Sequence, residues 1–90
     1  MIGRIMNVLI PSALRSYTQS SQANALGSTL NDVLVDLDRQ YPGIRFRIID
    51  EQQRVRRHIR IFINGVTADS LAQTTQPDDE VIIVQALSGG

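Results

Sequence analysis

Apolar residues recur along this chain with two periods. In "RIMNVLI", Met6, Val8 and Ile10 alternate with Asn7 and Leu9, a strand period. Pro11 cannot donate to a ladder, so the strand is expected to end there, with Leu14 anchoring the return. Gln22 to Leu26 reads as a second strand paired with the first, and Gly27 as a turn. The period then changes. Leu30, Val33, Leu34, Leu37 and Tyr41 sit at i, i+3, i+4, i+7 and i+11, which predicts a helix over 29–41. Thr29 and Asp32 have capping-box spacing, and Pro42-Gly43 ends the helix. Ile44, Ile48 and Ile49 fit a short helical turn under a sheet, and 50–57 reads as a charged loop. In "HIRIFING" the strand period returns, with Ile59, Ile61 and Ile63 on one side and His58, Arg60 and Phe62 on the other. Asn64-Gly65 is a strong hairpin signal, leading into a brief return strand from Val66. After the turn cluster "QPDDE" comes the last strand, "VIIVQAL".

The order is strand, strand, helix, strand, short strand, strand. Pairing the first and last strands in parallel, with the helix crossing the sheet, gives a compact α+β mixed sheet of the β-grasp (ubiquitin-like) arrangement. Leu30, Val33, Leu34, Leu37, Ile59, Ile61, Ile63, Val81 and Ile83 form the expected core. One domain is expected over 1–87, with 88–90 as a tail.

Composition narrows the function. Ninety residues make one small domain with a modest core. The formal net charge is zero, which argues against a general polyanion binder, so no nucleic-acid partner is expected. Cysteine is absent, which excludes disulfides, thiolate metal sites and cysteine nucleophiles. His58 is the only histidine and has no second soft ligand for a metal site. The longest apolar run is "VIIV", far short of the ~20 residues of a membrane span, so no membrane partner and a cytoplasmic location are expected. All nine basic residues are arginine, so this chain offers no side-chain amine for isopeptide chains. No catalytic constellation is visible.

The candidate chemistry lies in "QALSGG". A Gly-Gly pair adds little to a fold, because glycine loses the most freedom on ordering. A terminal carboxylate is a poor electrophile until it gains a leaving group, and adenylation supplies one. An extended tail without side chains is what a narrow active-site channel admits.

The ending "PDDEVIIVQALSGG", with "IFING" one hairpin earlier, resembles the MoaD/ThiS sulfur carriers, ubiquitin-like proteins with a free C-terminal Gly-Gly. "IPSALRSYT" and "STLNDVLVDLDRQYPGI" are also similar to that family, so the resemblance covers nearly the whole chain. The long basic segment 44–57 and "RRHIRIFING" look more like the carriers of bacterial cysteine biosynthesis than the molybdopterin-synthase small subunit. The resemblance implies that an E1-like adenylyltransferase, using ATP and magnesium, activates Gly90, and that a sulfur donor converts the adenylate to a thiocarboxylate. The sulfur then passes to a sulfur-accepting biosynthetic enzyme. By the same resemblance Gly90 is expected to carry the sulfur and Gly89 to give the flexible approach, with Ser88 as part of the tail. The chain itself is expected to bind no cofactor and not to be an enzyme.

Phe62 is expected to face outward, and Ile82 and Val84 to share its face. With Leu87 they form a candidate partner-docking patch. Arg54, Arg56, Arg57 and Arg60 read most simply as a solvated basic segment, and Asp78, Asp79 and Glu80 as turn chemistry. The alternative function is a ubiquitin-like protein modifier or a non-catalytic binding module.

Overall fold

In a computed structural model, which describes residues 5–86, the alternating segment Ile5–Leu9 is strand β1. It is followed by a 3-10 turn, Ser12–Leu14, and a one-turn helix, α1, Arg15–Thr18. Strand β2 is Gln22–Leu26 and helix α2 is Leu30–Gln40. Helix α3 is Ile44–Ile48, and strands β3, β4 and β5 are Ile59–Ile63, Val66–Thr67 and Glu80–Gln85. The five strands form one mixed sheet in the order β2-β1-β5-β3-β4, in which only β1 and β5 run parallel. This is the β-grasp arrangement expected from the sequence.

Helix α2 forms where the period of 3.6 is cleanest. Its stripe of Leu30, Val33, Leu34 and Leu37 is fully buried. Every other residue predicted for the core is buried as well. The inner sheet face adds Met6, Val8, Ala23 and Ala25, and α3 closes the core with Ile44 and Ile48. Thr29 Oγ1 accepts the Asp32 N–H at 3.1 Å, the N-cap bond predicted from spacing. The reciprocal half of the box is replaced, because Asp32 Oδ2 takes a hydrogen bond from the Ser28 hydroxyl.

The β2-to-α2 corner is tight. A Cβ on Gly27 would lie 2.6 Å from the Val33 nitrogen, closer than any side chain tolerates. The outer edge of β2 is covered by α2. Leu26 N–H donates to Asp36 Oδ2 at 2.9 Å, and Gln40 Nε2 donates to the Asn24 carbonyl at 2.8 Å. These side chains occupy edge groups that would otherwise invite another strand.

Two features differ from the expectation. Helix α1 was not predicted; it buries Thr18 and ends at Gln19, which takes a left-handed φ of 59°. Segment 50–57 is more ordered than a bare charged loop. Asp50 Oδ1 accepts the N–H groups of Gln52 and Arg54, and Ile49 bridges to Val55. The Arg54 N–H, acting first, and the charges of Arg54 and Arg56 hold the Asp50 carboxyl below its ordinary value despite some desolvation.

Candidate functional site

The face of the sheet away from α2 carries the predicted patch. Alternation turns Phe62 on β3 and Ile82 and Val84 on β5 to this side. Phe62 pairs directly with Ile82, and Ile82 pairs on its other side with Leu9 of β1. The result is a row, Leu9–Ile82–Phe62, running across three strands. All three side chains are half-buried, and Val84, one step along β5, is 41% exposed beside Arg60. Gln22 and Thr67 flank the row at its two ends. An apolar centre with a polar rim is the anatomy of a protein-binding surface.

Leu9 was missed in the sequence. Its alternation with Val8 was visible, but its place beside Ile82 depends on the parallel β1–β5 register, which joins residues far apart in the chain.

Strand β5 carries the chain on from the row to Gln85. Ala86 N–H donates to the His58 carbonyl at 2.8 Å and fastens the end of β5 against β3. Only Gln85 separates Val84 from Ala86, and the two steps span about 6–7 Å of extended chain. Leu87, Ser88, Gly89 and Gly90 lie outside the described residues.

The acidic cluster at the other end of β5 is a structural lock. Asn64, at φ 51°, and Gly65, at φ 83°, make the left-handed hairpin predicted from their sequence. Asn64 Nδ2 donates to Asp79 Oδ1 at 2.8 Å, and Asn64 Oδ1 accepts the Glu80 N–H at 2.9 Å. Asp79 Oδ2 also accepts the Gln76 N–H. Asp79 is thus committed to turn geometry, as expected.

The arginines gather at the tail end. His58, Arg57 and Arg60 are exposed there, and Arg60 Nη1 donates to the carbonyls of Arg57 and Ile59. Among the described residues the one ion pair is Arg39–Asp36; Arg54, Arg56, Arg57 and Arg60 are in none, although the charges of Arg54 and Arg56 act on the Asp50 carboxyl. No helix among the described residues is long and apolar enough to cross a membrane.

Comparison with known proteins places this geometry. The ThiS family model matches residues 8–90. The chain is 32% identical to the sulfur carrier protein CysO of Mycobacterium tuberculosis, over 94% of this chain and 98% of that protein. A crystal structure of Mycobacterium tuberculosis CysO superposes with a TM-score of 0.85 at 31% identity, covering 91% of this chain and 99% of that one. A chain of the Amycolatopsis orientalis BexX/CysO complex superposes with a TM-score of 0.87 at 26% identity, covering 94% and 99%. The small archaeal modifier protein 1 of Methanosarcina acetivorans gives a TM-score of 0.79 at 25% identity over the full length of both chains. With a family match spanning nearly its whole length, this chain belongs to the ThiS family.

Proposed function

We propose that this protein is a sulfur carrier that works through its C-terminal glycine. The observation that carries the reading is the ThiS-family match, which runs through residue 90 and so includes Ser88-Gly89-Gly90. The 32% identity to the Mycobacterium tuberculosis sulfur carrier supports it. In the cycle, a Gly90 carboxylate oxygen attacks the α-phosphorus of ATP and displaces pyrophosphate. A sulfur nucleophile then attacks the acyl carbon; a C–S bond forms and AMP leaves with the C–O electron pair. ATP and magnesium belong to the E1-like activating partner, and this chain contributes no catalytic group.

The chain's own work is presentation. The Leu9–Ile82–Phe62 row, with Val84, docks on the partner and sets the direction in which the tail leaves. The existence of a relative's chain in a complex, BexX/CysO, supports partner-bound action of this kind. The resemblance of the basic segment 44–57 to the carriers of cysteine biosynthesis supports an acceptor in that pathway ahead of molybdopterin synthesis, and the expected site of action is the cytoplasm. A second reading, attachment to other proteins as a modifier, is favoured only by the likeness to the Methanosarcina modifier.

Incubation with ATP, magnesium, an activating enzyme and sulfide separates the two readings. A carrier gains the mass of sulfur for oxygen at its terminus, whereas a modifier appears as heavier adducts of other proteins. Deleting Gly90 shortens the reach by about 3.3–3.6 Å. A misplacement of 1 Å costs on the order of 100-fold, so the deletion abolishes loading and leaves the melting temperature nearly unchanged. Normal thiocarboxylate yield from the deletion variant would show that the glycines are not the working end.

A further inference from the structure

A second surface lies beside the end of β5, around the corner from the apolar row. Phe46 of α3 is 56% exposed although it is large and aromatic. The Arg56 guanidinium sits over its ring, 4.5 Å from the centroid, and Arg56 Nε donates to the Phe46 carbonyl at 2.7 Å. Ring and cation therefore hold each other in place before any partner arrives. Together with Leu14, Arg47, His58 and Gln85 they line a groove of about 400 Å³. Arg47 and His58 are exposed.

Among the described residues no acid lines the groove, while Asp50 lies near enough to feel the charge of Arg56. Among the described residues, neither Arg47 nor Arg56 is in an ion pair. Asp78, Asp79 and Glu80 stand at the start of β5, and Gln85 at its other end lines the groove. At about 3.3 Å per residue, the acids and the groove are roughly 17 Å apart along the strand.

We propose that this groove docks an acidic segment of a partner protein that also carries an apolar side chain. The apolar side chain packs on Phe46 and the exposed Ala13, over the buried Leu14. Its neighbouring carboxylates meet the guanidinium forks of Arg47 and Arg56, whose planar donors match a carboxylate two bonds at a time. Aromatic and arginine residues are the side chains on which interface energy concentrates. A nucleic-acid strand fits less well, because one exposed ring gives no platform for successive bases and the acids at the other end of β5 repel phosphates. The proposal rests on the carrier reading only in supposing that a partner approaches the tail end, and its test uses no activation chemistry.

The test titrates the full-length protein with a short labelled peptide of glutamate and leucine, followed by fluorescence anisotropy and by amide chemical shifts. The peptide should bind, weaken as salt rises, and shift Phe46, Arg47, His58 and Gln85. Arg47→Glu and Phe46→Ser should each weaken it about tenfold or more. Both sites are exposed, so the variants should keep the native far-UV spectrum, and Arg47→Gln serves as the milder version. Phe62→Ser, on the open sheet face, should leave the peptide affinity unchanged. Binding that ignores salt, shifts confined to the Phe62 face, no binding at all, or tighter binding of a single-stranded oligonucleotide would each overturn the proposal. Failure of sulfur loading with peptide binding intact would count against the carrier reading alone.

Discussion

If the Leu9–Ile82–Phe62 row is a docking surface, binding and folding should separate at Phe62. The neighbouring residues Ile61 and Ile63 are buried in the core, while Phe62 is half-buried on the opposite face. Full burial of a phenylalanine contributes about 1.5–3 kcal/mol, so a half-buried one contributes about 1–1.5 kcal/mol to folding. Phe62→Ser should therefore lower the melting temperature by roughly 4–12 °C, at 4–8 °C per kcal/mol for a domain of this size. Ile61→Ala, which opens a cavity under α2, should cost about 2–5 kcal/mol and melt lower than Phe62→Ser. Binding should rank the other way. An aromatic anchor at the centre of an interface is worth about 2 kcal/mol or more, which weakens the dissociation constant some 30-fold. Calorimetric titration against the activating enzyme, with thermal melts of the same samples, reads both quantities. An affinity within threefold of wild type for folded Phe62→Ser would remove the row from the interface. A melting loss as large as that of Ile61→Ala would show that Phe62 belongs to the core.

Three further outcomes follow from packing and charge. Leu34→Ala, at a fully buried position of α2, should cost about 2–5 kcal/mol by urea denaturation; a loss below 1 kcal/mol would contradict the packing of α2 on the sheet. Gly27→Ala should cost about 1–3 kcal/mol, because its Cβ meets the Val33 backbone at 2.6 Å; a neutral result would mean that the β2–α2 corner is looser than described. Partial desolvation pushes the Asp36 carboxyl up, but Arg39, the Leu26 N–H and Gln40 outweigh it, and the net pKa is lowered. Its charge therefore contributes stability above the unfolded value of about 3.9, and that contribution is lost as pH falls through the lower folded value. The stability gap between wild type and Asp36→Asn should be widest above about pH 5 and close toward pH 2–3, and a gap that widens on acidification would reverse the assignment.

What could be read from the sequence was whatever repeats locally. The α2 stripe, the β3 alternation and the Asn64-Gly65 turn each announce themselves within a few residues, and each formed where expected. Helix α1 did not, because four residues are too few to show a period and its anchor, Thr18, is polar. The outward phase of Phe62, Ile82 and Val84 was local and legible. The addition of Leu9 was not, since it follows from β1 lying beside β5. The Phe46–Arg56 stack was hidden for the same reason, because the two residues meet only after 50–57 folds back on α3. Composition pointed to a solvated basic segment, and only the tertiary structure set one of its arginines against a ring.

Strand β5 shows why the register matters more here than any single side chain. Val81 and Ile83 fill the core, while Ile82 and Val84 face outward. A slip of one residue would exchange the two sets, exposing core and burying the outer row. Both ends of the strand are pinned against that slip. At the start, Asn64 bonds Glu80 twice, through its own N–H to the Glu80 carbonyl and through Oδ1 from the Glu80 N–H, and it donates through Nδ2 to the Asp79 carboxylate. At the finish, Ala86 N–H is held by the His58 carbonyl. The acidic turn thus does its work at a distance. By indexing the start of β5 it fixes which residues lie on the open sheet face, and it sets the separation of that face from the end of the strand. If the chain delivers its terminal carbonyl carbon into a partner's channel, as proposed, that separation must be held constant, and the hydrogen bonds of Asn64 and Ala86 hold it.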